Sequence, residues 1–168
     1  FHLRGTNEGV VSVNRSTFGA RDEYTLSPRA LLFGQVRYLR DTGKQIDYLL
    51  APTVGVGYKL IDTAPTKLAI DAGVGGVWER NTGLSTSASG AVNLGETFSH
   101  KLSDTATITQ AINGLWKTSD FGDALYSFSI GLAASITPKS TLKIELLEVY
   151  KTLPPSAAVQ KQDVALVT

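Results

Sequence analysis

One short stretch of this sequence has the glycine spacing of a phosphate-binding loop. Gly55-Val56-Gly57-Tyr58-Lys59 places two glycines beside a lysine, residue types that cradle phosphate oxygens. Such a loop must lead into a helix whose N-terminus faces the phosphate. Here the alternation of a strand runs through the stretch without a break. We therefore interpret the glycines as inward positions that make room for large side chains or allow the strand to coil.

Two histidines, His2 and His100, are the other candidates for chemistry. A hydrolase would need one of them close to a serine and a carboxylate or amide. Both fall near the same rim of the sheet predicted below. The chain has no cysteine, and its acidic residues lack the spacing of a calcium loop. We expect no catalytic residue, no cofactor and no metal.

Charged residues of both signs fall on the less apolar face of the predicted strands. If that face encloses a narrow interior, these charges should pair across strands, because unpaired charge away from water is costly. The alternative is a narrow polar path for small solutes or ions, without sharp ion selectivity, since no ring of one sign stands out. The candidate lumen-lining residues are Arg21, Glu23, Arg29, Arg37, Asp47, Lys59, Lys67, Asp71, Glu79, Lys117, Lys143 and Glu145.

The stretch 45–61 shows the element that positions these residues. Its even positions, from Ile46 to Leu60, are apolar, and its odd positions are mostly small or polar. This period of two predicts an extended strand with two unlike faces. About ten such segments follow one another without a helical pattern between them. They predict a single all-β domain over residues 1–168, an antiparallel up-and-down meander that must curl and close or leave two unpaired edges.

Turn residues separate these segments and alternate between two rims. The first rim holds residues 27–28, 62–66, 103–104 and 137–140, and the second rim holds residues 41–44, 81–83, 119–123 and 153–160. Residues 7–14 are expected to form a loop or the end of a hairpin. A long strand is expected over residues 84–102.

The alternation alone fits a soluble barrel with an apolar interior or a membrane barrel with an apolar exterior. Two features favour the membrane. The non-apolar face is rich in Ser, Thr, Gly and Ala, and large aromatic residues gather at two heights, as they do at lipid–water interfaces. The interface aromatics are Tyr24, Tyr58 and Phe98 near the first rim and Tyr38, Tyr48, Trp78, Trp116, Tyr126 and Tyr150 near the second.

Composition agrees with this interpretation. Charged residues make up 18% of the chain, against about 25% in average soluble domains. Sixteen basic residues balance fifteen acidic ones, so no nucleic-acid footprint is present. No run of apolar residues is long enough for a membrane-spanning helix.

Short motifs spread over most of the chain carry a resemblance to a known family. They are Glu23-Tyr24 with Leu26-Ser27, Phe33-Gly34, Gly55-Val56-Gly57-Tyr58, Gly73-Val74-Gly75 followed by Glu79, Tyr150, Pro154-Pro155 and Lys161-Gln162-Asp163. In these the chain resembles the bacterial salt-induced outer membrane proteins, a barrel family of unassigned function. The resemblance implies about twelve strands in the complete transmembrane barrel, so we expect the chain to be incomplete at both ends. It carries over no catalytic residue.

The resemblance also implies an orientation, with the second rim extracellular and the first periplasmic. A hydrolase acting on outer-leaflet lipid needs its catalytic group at the extracellular rim, which makes His100 a poor candidate. We expect a non-catalytic barrel in the outer membrane of a Gram-negative bacterium, with a structural or envelope-stress role and with lipid and lipopolysaccharide around it. The alternatives are a narrow porin-like channel and a subunit of a larger envelope complex, with a protein partner at the outward polar residues Glu96, Gln110 and Glu148.

Overall fold

The computed structural model describes residues 2–7, 10–137, 140–155 and 162–167, which form one antiparallel sheet of ten strands in chain order. The predicted all-β meander is therefore confirmed. Within the described ranges β1 and β10 are the two ends of the sheet and do not pair with each other. The strands are β1 His2–Asn7, β2 Val10–Thr25, β3 Ala30–Asp41, β4 Ile46–Asp62, β5 Thr66–Asn81, β6 Ser87–Lys101, β7 Ala106–Lys117, β8 Asp120–Thr137, β9 Ser140–Lys151 and β10 Gln162–Val167.

No helix in the described part of the chain is long and apolar enough to cross a membrane.

Three turns at the first rim share one kind of side-chain hydrogen bond. Ser27 and Ser103 each place a hydroxyl oxygen where it accepts the backbone N–H three residues later, at 3.0 Å in both turns. Thr63 does the same for Thr66, at 3.2 Å. These hydroxyls satisfy backbone donors that the strand ladder leaves open, which is why Ser and Thr favour such turns.

Two strands begin at other positions than predicted. β2 begins at Val10, inside the expected loop over residues 7–14, because its first residues already pair with β1. β6 begins at Ser87, since residues 82–86 form a turn in which Gly83 takes a φ of 79°. That left-handed conformation suits glycine and ends the extended run.

The hairpin between β7 and β8 is tighter than predicted. Asp120 already pairs with Lys117 across a bulge, so the expected break over residues 119–123 shrinks to Thr118 and Ser119. Of the expected loop over residues 153–160, only residues 153–155 lie within the described ranges.

The sheet curls into a half-barrel, as side-chain contacts between distant strands require. Arg37 of β3 donates to Asn113 of β7 at 2.5 Å, and Lys151 of β9 lies 3.0 Å from Glu79 of β5. Each pair is four strands apart, which is about 19 Å in a flat sheet. Strong curvature is needed to bring such side chains together, and they all lie on the concave face.

Glycines in β4 and β5 make this curvature possible. A Cβ atom added at Gly55 would lie 2.2 Å from the carbonyl oxygen of Ala72 and 2.7 Å from the Phe33 ring. A Cβ at Gly73 would also meet that ring, at 3.1 Å. The sequence interpretation of these glycines therefore has a specific basis, since they let β4 and β5 approach closely and leave room for Phe33.

The convex face of the sheet exposes large apolar side chains of the kind that a soluble protein buries. Large apolar side chains at even positions are exposed on the convex face, for example Val54 at 62% and Val74 at 61%. The concave face holds a buried apolar layer close to the second rim, and most of its members have odd numbers. This layer consists of Leu39, Ile46, Leu49, Ala51, Val77, Ala91, Leu115, Leu125 and Val149.

Ile46 is the exception to the predicted alternation. It was expected to point outward with the other even residues of its strand, yet it is buried at 1% exposure. Register shifts occur beside it in both ladders, between Leu39 and Asp41 and between Ile46 and Tyr48. A bulge adds one residue and reverses the alternation beyond it, which moves Ile46 to the buried side.

Candidate functional site

Two carboxylates and two ammonium groups form a cluster on the concave face at the second rim, which we call the charge seal. Glu79 lies 2.6 Å from Lys117 and 3.0 Å from Lys151. Asp123 lies 2.5 Å and 3.0 Å from the same two lysines. Each charge thus contacts two of opposite sign, and the Glu79 side chain is fully buried. Such an arrangement offsets the cost of removing four charges from water.

Strand ends bring the four seal residues together. Glu79 and Lys151 lie near the ends of β5 and β9, and Lys117 is the last residue of β7. The bulge opposite Lys117 starts β8 early enough for Asp123 to lie within the strand. All four have odd numbers, so they share the concave face with the apolar layer beneath them.

A second ion pair lies beside the charge seal. Arg15 contacts Asp41 at 2.8 Å, with both side chains almost completely buried. The backbone N–H of Lys44 donates to Asp41. Burial lowers the pKa of the Lys44 ammonium to about 8, with Asp41 acting to raise it and the positive charges of Arg15 and Lys151 acting to lower it. Lys151 of the charge seal therefore lies close enough to repel the Lys44 ammonium.

Halfway along the concave face lies a polar belt of hydrogen-bonded side chains. Arg21 bridges Glu23 at 2.7 Å and Asp71 at 3.2 Å, and its guanidinium stacks 3.9 Å from the Phe33 ring centroid. Gly95 leaves room for the Asp71 carboxylate, since an added Cβ would lie 2.6 Å from it. The belt consists of Arg21, Glu23, Gln35, Arg37, Asp71, Asn93 and Asn113.

The other half of the belt consists of amides and one guanidinium. Asn93 donates to Asn113 at 3.1 Å and accepts from Gln35 at 3.3 Å. Asn113 in turn accepts from Arg37. These contacts join β3, β6 and β7 across the concave side, so the belt holds the curved sheet together as well as lining it.

Toward the first rim the concave face becomes open and hydroxyl-rich. Neighbouring strands place Lys67, Ser99, Thr109, Gly131 and Glu145 in one row across the sheet. Because most of these side chains are small, a cavity of about 520 Å³ remains above them. Its lysines are partly solvated, so this end is a polar mouth rather than a packed core.

The convex face carries aromatic clusters near the second rim. The indole N–H of Trp116 donates to the Tyr126 hydroxyl at 3.1 Å, and the two rings meet edge to face. Tyr150 lies beside Tyr126, with ring centroids 6.4 Å apart. The Tyr48 hydroxyl bonds Thr86 at 2.8 Å. Polar tips on exposed rings are what a lipid–water interface accommodates.

Comparison with known proteins adds a family. Residues 2–168 match the family model described as "Protein of unknown function, DUF481". The chain belongs to the DUF481 family. No curated protein and no solved structure matches it. Because the match covers nearly the whole chain, the charge seal, the polar belt and the mouth cavity all lie within the DUF481 domain.

The structure places the twelve charged residues predicted for the interior of this DUF481 domain at three levels and at both rims. Glu79 and Lys117 lie in the charge seal, and Arg21, Glu23, Arg37 and Asp71 lie in the polar belt. Lys59, Lys67, Lys143 and Glu145 line the mouth cavity. Arg29 and Asp47 lie at the rims, outside all three layers.

Asp47 and Arg29 differ from the expectation of an interior position for physical reasons. Asp47 follows the bulge at Ile46 and accepts from the Thr82 hydroxyl at 2.8 Å, with Arg80 at 3.7 Å. Arg29 precedes β3, in the turn that the Ser27 hydroxyl closes. A bulge sets the side-chain direction of Asp47, and a turn sets that of Arg29. Strict alternation within a strand predicts neither direction.

The nine predicted interface aromatics lie in two groups. Tyr24, at 71% exposed, and Tyr58, at 45%, lie toward the first rim. Phe98 lies there too, stacked with His100 at 6.4 Å between centroids. Near the second rim are Tyr38, Tyr48, Trp78, Trp116, Tyr126 and Tyr150.

Several concave-face residues were missed by sequence reasoning. Sequence reasoning assigned three of them, Asp41, Lys44 and Asp123, to turns. Register shifts in the neighbouring strand pairs direct these side chains to the concave face. Lys151 has an odd number and follows the outward Tyr150, so parity alone indicated it. The amides Asn93 and Asn113 also have odd numbers, but a charge-based selection passes over them.

The described residues offer little for catalysis or metal binding. His100 shares a hydrogen bond with the hydroxyl of Thr66 at 2.8 Å rather than with a carboxylate, so the hydrolase hypothesis gains no support from it. His2 has no described side chain. No group of three or more His, Asp and Glu residues suited to a metal ion occurs in the described ranges.

Proposed function

We propose that this protein is a non-catalytic β-barrel of the bacterial outer membrane, with a structural or envelope-stress role. The observation that carries the proposal is the inverted polarity of the two faces. The concave face holds buried ion pairs and amides beside its buried apolar layer, while large aliphatic side chains are exposed along the convex face. A soluble sheet protein would bury those aliphatic residues, whereas hydrocarbon accommodates them on the outside.

The aromatic groups support the same proposal. Aromatic rings lie near both ends of the strands, and near the second rim the Trp116 indole and the Tyr48 and Tyr126 hydroxyls form hydrogen bonds, which is the distribution expected where rings meet lipid headgroups. Backbone groups at β1 and β10 must also be paired in a bilayer. We propose that further strands close the sheet into about twelve, as the resemblance to salt-induced outer membrane proteins implies, with the second rim extracellular.

The passive-channel alternative is less well supported. The charge seal and the Arg15–Asp41 pair fill the second-rim end of the concave face, and their side chains are between 0% and 17% exposed. Side chains held by several ion pairs do not leave a continuous water path. The proposed barrel is therefore plugged by its own residues at one end, and planar-bilayer recordings should show no steady conductance steps.

Membrane placement can be tested with the two tryptophans of the chain. Trp78→Phe and Trp116→Phe leave single reporters in reconstituted vesicles. Lipid brominated near the headgroup should quench both reporters more strongly than lipid brominated at the chain ends, because both lie near the second rim. Equal fluorescence with and without brominated lipid would refute the proposal. Absence of lipase activity in the wild type, with His100→Ala as the comparison, tests its non-catalytic part.

A second candidate, a subunit of an envelope complex, is favoured by polar pairs on the convex face. Gln110 donates to Glu96 at 3.2 Å, and Gln162 donates to Glu148 at 2.5 Å. Glu96 and Glu148 lie in one cross-strand row, separated by Ile112 and Phe128. Carboxylates are unfavourable against hydrocarbon, so a protein partner could cover this row. A photocrosslinker at position 110 that reacts with lipid alone would contradict this candidate.

A further inference from the structure

The concave face encloses a second cavity of about 550 Å³ between the charge seal and the mouth. It shares Thr97 and Ala111 with the mouth cavity, so the two cavities adjoin on the concave face. Five residues of the polar belt line this inner cavity together with Leu39, Leu125 and Val149 of the apolar layer. The five are Arg21, Gln35, Arg37, Asp71 and Asn113. An amphipathic cavity of this size is typical of a small-molecule site.

The Arg37 guanidinium in this cavity forms no ion pair within the described residues. Its one side-chain hydrogen bond there is to the neutral amide of Asn113. Asp71 attracts Arg37 from beyond ion-pair distance, while its direct ion pair is with Arg21. A cation in a half-buried position is stabilised by an anionic group nearby, so Arg37 is set to receive one from a ligand.

One carboxylate oxygen of Asp71 lacks a hydrogen-bond donor among the described residues. Its Oδ2 accepts from Arg21 at 3.2 Å, while its Oδ1 is buried and accepts from no donor in the described residues. Both Asp71 and Arg37 line the inner cavity. A buried carboxylate oxygen without a donor is costly. Because Oδ1 packs beside Gly95 and has almost no exposed surface, the carboxyl group must turn toward the cavity for the N–H or O–H of a ligand to reach it.

The charges of the polar belt restrict the ligand further. Arg21 and Arg37 balance Glu23 and Asp71, so the belt is neutral as it stands. A ligand with a single charge would leave that charge uncompensated in a partly desolvated site. A zwitterion would satisfy Arg37 with its acid group and Asp71 with its ammonium group, and the belt would remain neutral.

We propose that the inner cavity binds a small zwitterion with an apolar side chain, that is, a free amino acid or the ends of a short peptide. The carboxylate contacts Arg37, the ammonium contacts the Asp71 carboxylate once that group turns from Gly95 toward the cavity, and the side chain packs on Leu39, Leu125 and Val149. Access is from the first rim, past Lys67 and the hydroxyl row, because the charge seal closes the other end. Nothing in this site requires catalysis.

Binding can be measured by calorimetry on the full chain in detergent micelles, with leucine as the probe. Isocaproate lacks the ammonium group of leucine, isoamylamine lacks the carboxylate, and glycine lacks the apolar side chain. We expect leucine to bind at least about tenfold more tightly than any of the three, since each lost charged hydrogen bond or buried side chain is equivalent to tenfold or more. Leucyl-leucine separates the two sources, because tighter binding than leucine indicates a peptide.

Variants of the polar belt test the assignment of each group. Arg37→Met should weaken leucine binding by about tenfold or more, and Arg37→Lys should recover part of the loss. Asp71→Asn should remove the preference for leucine over isocaproate. Asn113→Asp supplies Arg37 with an internal counter-ion and should abolish binding. Because the Asn113 amide also donates to the Leu94 carbonyl, a urea titration of this variant must show that it remains folded at the temperature of the binding measurement. Arg29→Met, at an exposed turn outside the cavity, should leave binding unchanged.

The proposal is overturned if leucine gives no binding heat at millimolar concentration, or if isocaproate binds as tightly as leucine. It is equally overturned if Asn113→Asp binds leucine as well as the wild type does. These results are independent of membrane placement, because they are measured in micelles. A failure here therefore leaves the proposed function standing, and a failure of the quenching test leaves the binding result intact.

Discussion

Replacing Glu79 by glutamine should destabilise the fold more than the same kind of substitution at a partly exposed carboxylate. Its side chain is fully buried and contacts two lysines at 2.6 and 3.0 Å. Breaking a buried ion pair costs about 3–5 kcal/mol. Asp123 still contacts both lysines, so we expect the lower end of that range, about 3 kcal/mol.

The measurement is urea unfolding in one detergent, followed by the fluorescence of Trp78 and Trp116. Glu145→Gln is the matched control, because the Glu145–Lys143 pair is partly exposed at 28% and 55% and should cost less than about 1 kcal/mol. Adding Lys151→Met to Glu79→Gln removes the unbalanced cation and should restore at least about 1 kcal/mol. If Glu79→Gln shifts the midpoint no more than Glu145→Gln, the charge seal does not stabilise the fold as described.

Three further outcomes are expected. Gly55→Ala should destabilise by about 1–3 kcal/mol, because its Cβ would overlap a backbone oxygen of β5, whereas Gly34→Ala, with open space around it, should be near neutral in the same urea titration. Lys44 should titrate near pH 8 in carbon NMR, at a resonance that Lys44→Met lacks. The folded-state pKa of Lys44 lies below the unfolded value, so unfolding binds a proton between pH 8 and about 10.5. The free energy of unfolding of the wild type should therefore rise relative to that of Lys44→Met across that window, by up to about 3 kcal/mol. If the difference between the two proteins does not depend on pH, the burial of the ammonium is contradicted.

The strands could be predicted from the sequence because the alternation of apolar and polar residues is a local pattern. Each residue from Leu49 to Lys59 has the face that its parity predicts, and the turn at Ser27 follows from hydroxyl chemistry within four residues. The small and polar residues at odd positions likewise predicted that the apolar face of the sheet lies on the outside. These are properties of one strand at a time, and they need no knowledge of its distant neighbours.

The site was readable only in part, because bulges and curvature are properties of paired strands. The inward turn of Ile46 depends on register shifts against β3 and β5. The contact between Arg37 and Asn113 depends on how far the sheet curls over 76 residues of sequence separation. No spacing within one strand indicates that Glu79 will meet Lys151.

Oxygen and nickel-chelate accessibility of spin labels on the convex face tests the central claim most directly. The chain has no cysteine, so single labels at Leu50, Val54 and Tyr58 in vesicles report one position each. We predict high oxygen and low nickel-chelate accessibility at Val54, with more nickel-chelate accessibility at Leu50 and Tyr58 near the rims. High nickel-chelate accessibility at Val54 would show that water, not hydrocarbon, covers this face and would contradict the account.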